Sequence, residues 1–199
     1  MKPFDFSNDY ILEDDVVILR PLKKEDIALL NHFSVNEPEL WWASPSLIAG
    51  EENFKKHFED SLKLKEEKKE YPFIVYDKKT KAYAGSTRFY DIQLANQSLQ
   101  LGYTWYGKQF QGTGLNKHCK FLLLSFAFEQ MNMERVEFRA HAKNERSIAA
   151  MKSIGCVEEG ILRKMVIMQG GRGRRDTIVL SILKEEWENG VKEKLRTKL

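Results

Sequence analysis

The sequence has little of several features that would define a protein class directly. It contains two cysteines, Cys119 and Cys156, in apolar segments without metal-ligand spacing, so reduced core thiols are expected and a disulfide framework is not. No stretch approaches the roughly 18 uninterrupted apolar residues of a spanning helix, and residues 1–6 lack the apolar core of a secretion signal. These absences predict a cytoplasmic protein without a membrane partner.

The sequence also has little net charge. A formal net charge of +3 is small when 31% of the 199 residues are charged, so charge alone indicates neither a polyanionic partner nor a membrane surface. The 42% of hydrophobic and 12% of aromatic residues are sufficient for a substantial core. Without linkers, repeats or low-complexity segments, residues 1–199 are predicted to form a single domain with a core at about 12–190.

Hydrophobic periodicity predicts alternating strands and helices. Three consecutive strand patterns separated by polar breaks indicate an antiparallel meander, and a later strand–helix–strand unit indicates one parallel pair. The predicted fold is therefore α/β (α+β), a mixed, mostly antiparallel twisted sheet flanked by helices. The predicted strands are 16–20, 72–76, 82–90, 99–106, 135–141, 156–168 and 177–183; the helices are a short one ending near 31, then 51–69, 115–132, 144–155 and a short terminal helix.

A glycine turn lies between the third meander strand and the long central helix. It reads Gln-Phe-Gln-Gly-Thr-Gly-Leu-Asn over residues 109–116. Gly112 and Gly114 permit backbone conformations and close approach that a Cβ would prevent, and the helix start offers unpaired N–H groups to an anion. The turn lacks the Lys-Ser/Thr pair of a Walker A loop and the third glycine of a dinucleotide site. A diphosphate site fits this pattern, although glycines also serve simply to end strands and begin helices.

The turn resembles the acetyl-CoA motif of the GCN5-related N-acetyltransferase (GNAT) superfamily, Gln/Arg-x-x-Gly-x-Gly/Ala, which Gln109–Gly114 matches in full. A second family segment, Asn-x-x-Ser/Ala, appears as Asn144–Ser147 before Gly155. Residues Leu101–Trp105, Glu159–Gly160 and Arg175–Thr177 resemble the RimJ/RimL-like branch, the ribosomal-protein-alanine acetyltransferase-like enzymes. The resemblance covers about residues 12–190.

This resemblance implies an acyltransferase whose co-substrate, acetyl-CoA, lies where two parallel strands splay apart, without a metal. It implies that the strand 99–106 offers its edge to the pantetheine arm, that the glycine turn holds the pyrophosphate, and that Asn144 bonds the arm. The implied cofactor-binding residues are Tyr103, Thr104, Trp105, Gln109, Phe110, Gln111, Gly112, Thr113, Gly114, Leu115, Asn116, Asn144 and Ser147.

The proton donor to the departing thiolate departs from the usual family pattern. Met151 stands where many relatives carry tyrosine, so Ser147, one turn earlier on the same helix, is the candidate, with polar packing near a helix start as its alternative. The base is left open. Asp91, Glu137 and His141 are candidates, and an ordered water relaying the proton to solvent is equally consistent.

The acceptor is expected to be a primary amine of a protein N-terminus or a small molecule. Trp41 and Trp42 form an aromatic pair in a predicted loop that either packs internally or grips an acceptor, with Arg88 and Tyr90 as polar contacts. The helical histidines are expected to be solvated or on helix faces, away from any metal cluster. They are His32, His57 and His118.

Two rival functions follow from other features. Arg172, Arg174 and Arg175 with Lys164 make a basic hairpin tip, but without interleaved aromatics direct nucleic-acid binding, as in a ribosome- or RNA-associated module, is not expected. A non-catalytic CoA-binding protein remains the second rival, because Met151 replaces the usual tyrosine. The sequence leaves a homodimer open.

Overall fold

The computed structural model describes residues 4–199. Residues 1–3, which begin the segment inspected above for a secretion signal, lie outside the described residues. None of the helices within 4–199 has the length and apolar character needed to cross a membrane.

Strands and helices alternate along the chain largely as periodicity predicts. The strands are β1 (Leu12–Glu13), β2 (Val17–Pro21), β3 (Glu70–Asp77), β4 (Ala82–Gln93), β5 (Ser98–Tyr106), β6 (Arg135–His141), β7 (Val157–Ile167) and β8 (Arg174–Leu183). The α-helices are α1 (Asp26–Asn36), α2 (Glu51–Glu66), α3 (Leu115–Ser125), α4 (Glu145–Ser153), α5 (Lys184–Glu186) and α6 (Lys192–Arg196). Short 3₁₀ segments lie at Pro38–Trp41, Leu94–Asn96 and Lys108–Phe110, and π-helical segments at Phe126–Gln130 and Trp187–Val191.

One sheet in the order β1-β2-β3-β4-β5-β6-β8-β7 joins all of these strands. Neighbouring strands are antiparallel except β5 and β6, so the predicted mixed sheet with one parallel pair is confirmed. The parallel pairing covers only Ser98–Gln100 of β5 and Arg135–Glu137 of β6. Beyond that point the two strands diverge, which leaves the facing edges of their C-terminal halves free for another partner.

Side-chain alternation assigns the helices to opposite faces of the sheet. Phe89 of β4 stacks on Phe126, which extends α3, with ring centroids 6.3 Å apart. The next residue back, Arg88, instead reaches His57 of α2 at 2.6 Å. On β6, Phe138 is buried with its ring centre 5.9 Å from the Nζ of Lys120 on α3, and Val136, two residues earlier, is buried on the same face. The alternate residues of β6 therefore lie on the α2 face, where no described helix covers them.

Two element boundaries show how local chemistry decides a helix end. The predicted end of α1 near residue 31 is wrong, because the helix continues to Asn36. Glu37 is its C-cap and stands directly before Pro38. The predicted limits of α4 are confirmed. The Asn144 side chain accepts a hydrogen bond from the Ser147 N–H, and Gly155 follows the helix with a φ of 101°.

Candidate functional site

A cleft of about 770 Å³ opens where β5 and β6 diverge. Of the residues predicted from the sequence to bind acetyl-CoA or the acceptor, twelve line it: Trp41, Tyr90, Tyr103, Thr104, Trp105, Phe110, Gln111, Gly112, Gly114, Asn116, Asn144 and Ser147. The other five, Trp42, Arg88, Gln109, Thr113 and Leu115, lie outside its lining. The structure thus brings together residues from the segment before α2, the meander, the glycine turn and α4.

A β-bulge shapes the β5 wall of the cleft. Trp105 pairs with Ser86 and Gly102 pairs with Arg88, so two residues of β5 oppose the single residue Thr87 of β4. The first of these two, Tyr103, has a φ of 49°, the left-handed conformation that such an extra residue often adopts. The bulge bends β5 at the point where it separates from β6, and sequence alternation alone did not reveal it.

Residues 111–116, called here the glycine cradle, form the end of the cleft beside α3. Gly112 and Gly114 have φ values of 77° and 92°, and a Cβ on either would meet nothing within 4 Å. No acceptor among residues 4–199 pairs with the N–H groups of Gly112, Thr113, Gly114 and Asn116. Because α3 begins at Leu115, its positive end adds to these donors. The cradle therefore fits a phosphate group, which carries charge and accepts several hydrogen bonds.

Side-chain hydrogen bonds hold the cradle in place against β5 and α4. The Gln111 amide donates to the Tyr106 carbonyl at 2.8 Å and accepts from Arg146 of α4. The Thr113 hydroxyl donates to the Phe110 carbonyl at 2.8 Å. Leu115 is buried in the core and Gln109 is exposed. These hydrogen bonds thus anchor the turn, while Gly112, Gly114 and Asn116, whose N–H groups lack acceptors, line the cleft.

The start of α4 presents two polar groups to the cleft. Asn144 uses its side-chain oxygen to cap the helix, which leaves its amide NH₂ group as a donor. The Ser147 hydroxyl has no hydrogen-bond partner in the described part of the chain. Met151, one turn later, is buried and lines the same cleft. Ser147 is consequently the free hydroxyl of this helix face.

Lys120 is a cleft residue that the sequence interpretation missed. It lies on α3 with 5% of its surface exposed, and its Nζ donates to the Thr104 hydroxyl at 2.8 Å. The same Nζ lies 5.9 Å from the centre of the Phe138 ring on β6. Burial lowers the pKa of Lys120 to about 8. Its isolation as the single charge in the apolar run 119–128 could have drawn attention to it.

The open half of the cleft lies on the sheet face opposite α3 and is lined by Trp41, Tyr90, His141, Arg175 and Thr177. The tryptophan pair divides here, because Trp41 is buried while Trp42 is half exposed with its ring 5.6 Å from that of His141. Burial raises the pKa of Tyr90, which favours its neutral form.

Arg88, expected as an acceptor contact, lies beneath the cleft wall. It is 5% exposed, forms an ion pair with Glu70, and lies 3.8 Å below the centre of the Tyr103 ring. His57 lies on a face of helix α2, one of the two expected alternatives, but it is not solvated, since its Nε2 lies 2.6 Å from the Arg88 guanidinium. His118 likewise contacts Asp14, at 2.8 Å, whereas His32 is exposed. Arg88 thus supports Tyr103 from below.

The three candidate bases differ in their surroundings. Glu137 accepts from Arg135 at 2.8 Å and from Arg139 at 2.6 Å, so its charge is already compensated. Asp91 accepts from Gln100 at 2.8 Å. Of the three, His141 alone lines the cleft, and burial followed by the charge of Arg175 lowers its pKa.

The arginines of the hairpin tip bind backbone carbonyls. Arg172 donates to the Ser44 carbonyl at 3.0 Å, and Arg175 donates to the Ala43 carbonyl at 2.7 Å. Arg174 donates to the Lys164 carbonyl at 2.7 Å. The tip therefore fastens the segment 42–46 over the open half, which accounts for two of its three arginines without a nucleic acid.

Comparisons with known proteins agree with this geometry. A family model described as an acetyltransferase (GNAT) domain matches residues 17–157. YdaF of Bacillus subtilis, provisionally named a ribosomal N-acetyltransferase, is 33% identical over 104 residues, which cover 52% of this chain and 55% of YdaF. The match thus spans about half the length of that relative.

Solved structures extend the similarity to the whole chain. A provisionally named acetyltransferase of T. thermophilus is 32% identical, with a TM-score of 0.85 and coverage of 100% of both chains. RimJ of Mycobacterium smegmatis, solved in complex with CoA-disulfide, has a TM-score of 0.79 over 95% of this chain and 93% of its own. At 19% identity, RimJ indicates a shared fold.

Proposed function

We propose, from the premise that this chain belongs to the GNAT acetyltransferase family, that it transfers an acetyl group from acetyl-CoA to a primary amine. The amine attacks directly while both substrates are bound. Residues 1–199, with a core at about 12–190, would act as one N-acetyltransferase domain. RimJ, a structural neighbour, was solved with a CoA-disulfide, which supports the choice of acyl carrier.

The observation that carries this proposal is the glycine cradle at the end of a strand with a free edge. Phosphate oxygens would accept from the unpaired N–H groups of Gly112, Thr113, Gly114 and Asn116. From Gly102 to Tyr106, the edge of β5 that faces β6 lies beyond the residues paired with β6. An extended arm with amide groups would lie along this edge as an added strand does.

The reaction needs no metal in this proposal. The neutral amine nitrogen attacks the thioester carbon, the C–N bond forms, and the C–S bond of the tetrahedral intermediate breaks. The nitrogen loses one proton, and the departing thiolate gains one. The Ser147 hydroxyl is the proposed donor to the thiolate and would regain its proton from water, whereas His141 or a water molecule would accept the proton of the amine. Lys120 would offer its remaining N–H groups to carbonyl oxygen in the cleft.

Equilibrium titration tests the carrying observation. CoA should bind with micromolar affinity, and pantetheine, which lacks the diphosphate, should bind at least about 100-fold more weakly because it forgoes several charge-assisted hydrogen bonds. Equal affinity of the two ligands would remove the cradle from the proposal. Thiol release from acetyl-CoA should then appear only when an amine is added. CoA binding without release for any amine would favour the non-catalytic alternative.

The acceptor is proposed only as a protein N-terminus or a small-molecule amine. YdaF is named for ribosomal acetylation, which supports including a protein N-terminus among the test substrates. Direct nucleic-acid binding is not part of the proposal, since the tip arginines Arg172 and Arg175 already bind the carbonyls of the segment 42–46.

A further inference from the structure

The fully ionised side chains that line the cleft, among the described residues, are all positive. Among the described residues that line the cleft, none is Asp or Glu, whereas five are Lys or Arg: Lys117, Lys120, Arg139, Arg146 and Arg175. Lys117 and Arg146 lie in the first turns of α3 and α4, beside the glycine cradle. Arg139 and Arg175 lie on β6 and β8, in or beside the open half. Positive charge therefore remains on the side of the cleft away from the cradle.

Of the two arginines in or beside the open half, Arg139 is ion-paired with Glu137, whereas no carboxylate among residues 4–199 pairs with Arg175. Glu137, the nearest acid on β6, already binds both Arg135 and Arg139. Glu70 is paired with Arg88 beneath Tyr103, and Asp176 accepts from the Lys164 N–H at 2.6 Å on the exposed side of the hairpin. An acceptor with extra positive charge would consequently meet no free carboxylate in the cleft.

Unpartnered buried polar atoms concentrate in the same cleft. Within residues 4–199 the buried side-chain atoms without a hydrogen-bond partner are Trp41 Nε1, Gln100 Oε1, Ser125 Oγ, Arg175 Nε and Thr177 Oγ1. All but Ser125 line the cleft. Thr177 is fully buried, and Trp41 and Gln100 are each 6% exposed. Because a buried polar group without a partner destabilises the fold, such a cluster indicates the place of a ligand.

The four atoms differ in what they can bind. Arg175 Nε and Trp41 Nε1 can only donate, and the Thr177 hydroxyl can do so as well, whereas Gln100 Oε1 can only accept. Register places Thr177 opposite His141 on β6 and Gln100 opposite Tyr90 on β4. The open half therefore offers donors suited to an anion and one acceptor suited to an N–H group.

We propose that the acceptor amine carries a carboxylate, bound by Arg175 and Thr177, and that the cleft discriminates against polycationic amines. The inference rests on the proposed acetyl transfer and adds the chemical class of its acceptor. A carboxylate accepts from a guanidinium and a hydroxyl together, and charge-assisted hydrogen bonds of this kind are stronger than those between neutral groups. The carboxylate belongs either to a free amino acid or to an acidic residue near a peptide N-terminus.

Matched amines test the inference and separate these two sources. Thiol release from acetyl-CoA is measured with L-alanine and L-alaninamide, with the peptide amides Ala-Glu-Ala and Ala-Gln-Ala, and with spermidine. Rates are corrected for the fraction of neutral amine of each probe. At least one acid should exceed its matched amide about tenfold or more in kcat/KM, and spermidine should be poorest. The pair that shows the preference identifies the source of the carboxylate.

Substitutions locate the preference on Arg175. Arg175→Met should lower kcat/KM for the preferred acid about tenfold more than for its matched amide, and Arg175→Lys should retain part of the preference. Arg174→Met is the matched control, because Arg174 is the adjacent residue on β8 and lies outside the cleft lining. Thermal melting of each variant checks folding, and the ratio of acid to amide within one variant is unaffected by a smaller folded fraction.

The possible results distinguish failure of the inferred acceptor class from failure of acetyl transfer itself. Turnover that favours amides or spermidine, or an acid preference that survives Arg175→Met, overturns the inference and leaves acetyl transfer in place. Absence of thiol release with every probe contradicts the proposed function, and the inference falls with it.

Discussion

The two ends of the cleft are built in different ways. The glycine cradle comes from one continuous segment, 111–116, and offers mainly backbone N–H groups. The open half is assembled from the segment before α2 and from β4, β6 and β8, and it offers side chains of Trp41, Tyr90, His141, Arg175 and Thr177. Backbone recognition tolerates changes of side chain but excludes an added Cβ, whereas recognition by side chains changes with each substitution.

This difference separates what the two ends can specify. The cradle would bind any ligand with a suitably placed diphosphate, so it fits a carrier common to a whole family. The open half would decide which amine is accepted, since its charge and its unpartnered atoms depend on individual residues. A substitution at one end can therefore be judged by comparing its effect on CoA binding with its effect on use of the amine.

Gly114→Val should have the largest effect. Its φ of 92° costs a β-branched residue about 1–2 kcal/mol, and the new side chain would enter the space beside the free N–H groups. We expect CoA affinity to fall about 100-fold or more, equivalent to losing two charge-assisted hydrogen bonds. Calorimetric titration with CoA measures this loss.

Gly50 provides the matched control for that prediction. It also precedes a helix, has a φ of 88°, and leaves nothing within 4 Å of an added Cβ, but it lies outside the cleft lining. With a ψ of 147° against −22° for Gly114, Gly50 lies in a region that is essentially restricted to glycine. Gly50→Val should therefore lower stability at least as much while CoA affinity is retained. Equal losses of affinity in both variants would show that strain, and not occupation of the cradle, is responsible.

Ser147→Ala should have the next largest effect, on turnover. If its hydroxyl protonates the departing thiolate, kcat should fall about 100-fold, within the usual range for general acid catalysis, while CoA affinity changes little. Ser147→Thr retains a hydroxyl and should recover part of the rate. An unchanged kcat in Ser147→Ala would instead assign Ser147 to polar packing at the start of α4.

The contrast between the two ends also explains how far the sequence could be interpreted. The cradle was predictable because its glycines, its helix start and its strand are contiguous, and the element order followed from periodicity. The fold prediction was correct for the same reason, since each element carries its own pattern of buried residues. The shared motif Gln109–Gly114 then indicated the family before any contact was known.

The open half was not predictable in that way. Arg175 was interpreted as part of a basic hairpin tip, although its side chain lines the cleft and binds the Ala43 carbonyl. Arg88 was expected in the pocket but pairs with Glu70 below Tyr103. Such positions depend on the register between β6 and β8 and on the bulge in β5, which no local pattern encodes.

Lys120→Met should increase the stability of the fold and weaken CoA binding or turnover. Replacing a buried cation with an apolar residue of similar length should raise the free energy of unfolding by about 1–3 kcal/mol at pH 7.5. CoA affinity or kcat/KM should fall about tenfold if its Nζ binds carbonyl oxygen in the cleft. Urea unfolding and calorimetry of the two proteins measure both changes.

The pH dependence of that stability difference identifies its cause. The pKa of Lys120 is about 8 in the folded chain against an ordinary value of 10.5, so the unfolded chain binds the extra proton between these values. Wild-type stability should therefore gain from this group as pH rises from 8 to 10. The advantage of Lys120→Met should shrink over the same range, and a constant difference would exclude the titration of Lys120 as its source.

The smallest expected effect concerns His57, which should not titrate near neutral pH in the folded protein. Burial, and then the charge of Arg88, lowers its pKa to about 3. Because a guanidinium can only donate, Nε2 must accept and Nδ1 must carry the proton. ¹⁵N NMR of the imidazole ring should show this tautomer unchanged from pH 5 to 8, whereas in urea the same ring should titrate near its ordinary pKa of 6.5.

Between pH 3 and 6.5 the unfolded chain binds one more proton at His57 than the folded chain does, so this group makes the stability of the fold rise with pH. Titration of His57 in the folded protein near pH 6.5 would contradict the burial of its ring and its contact with Arg88.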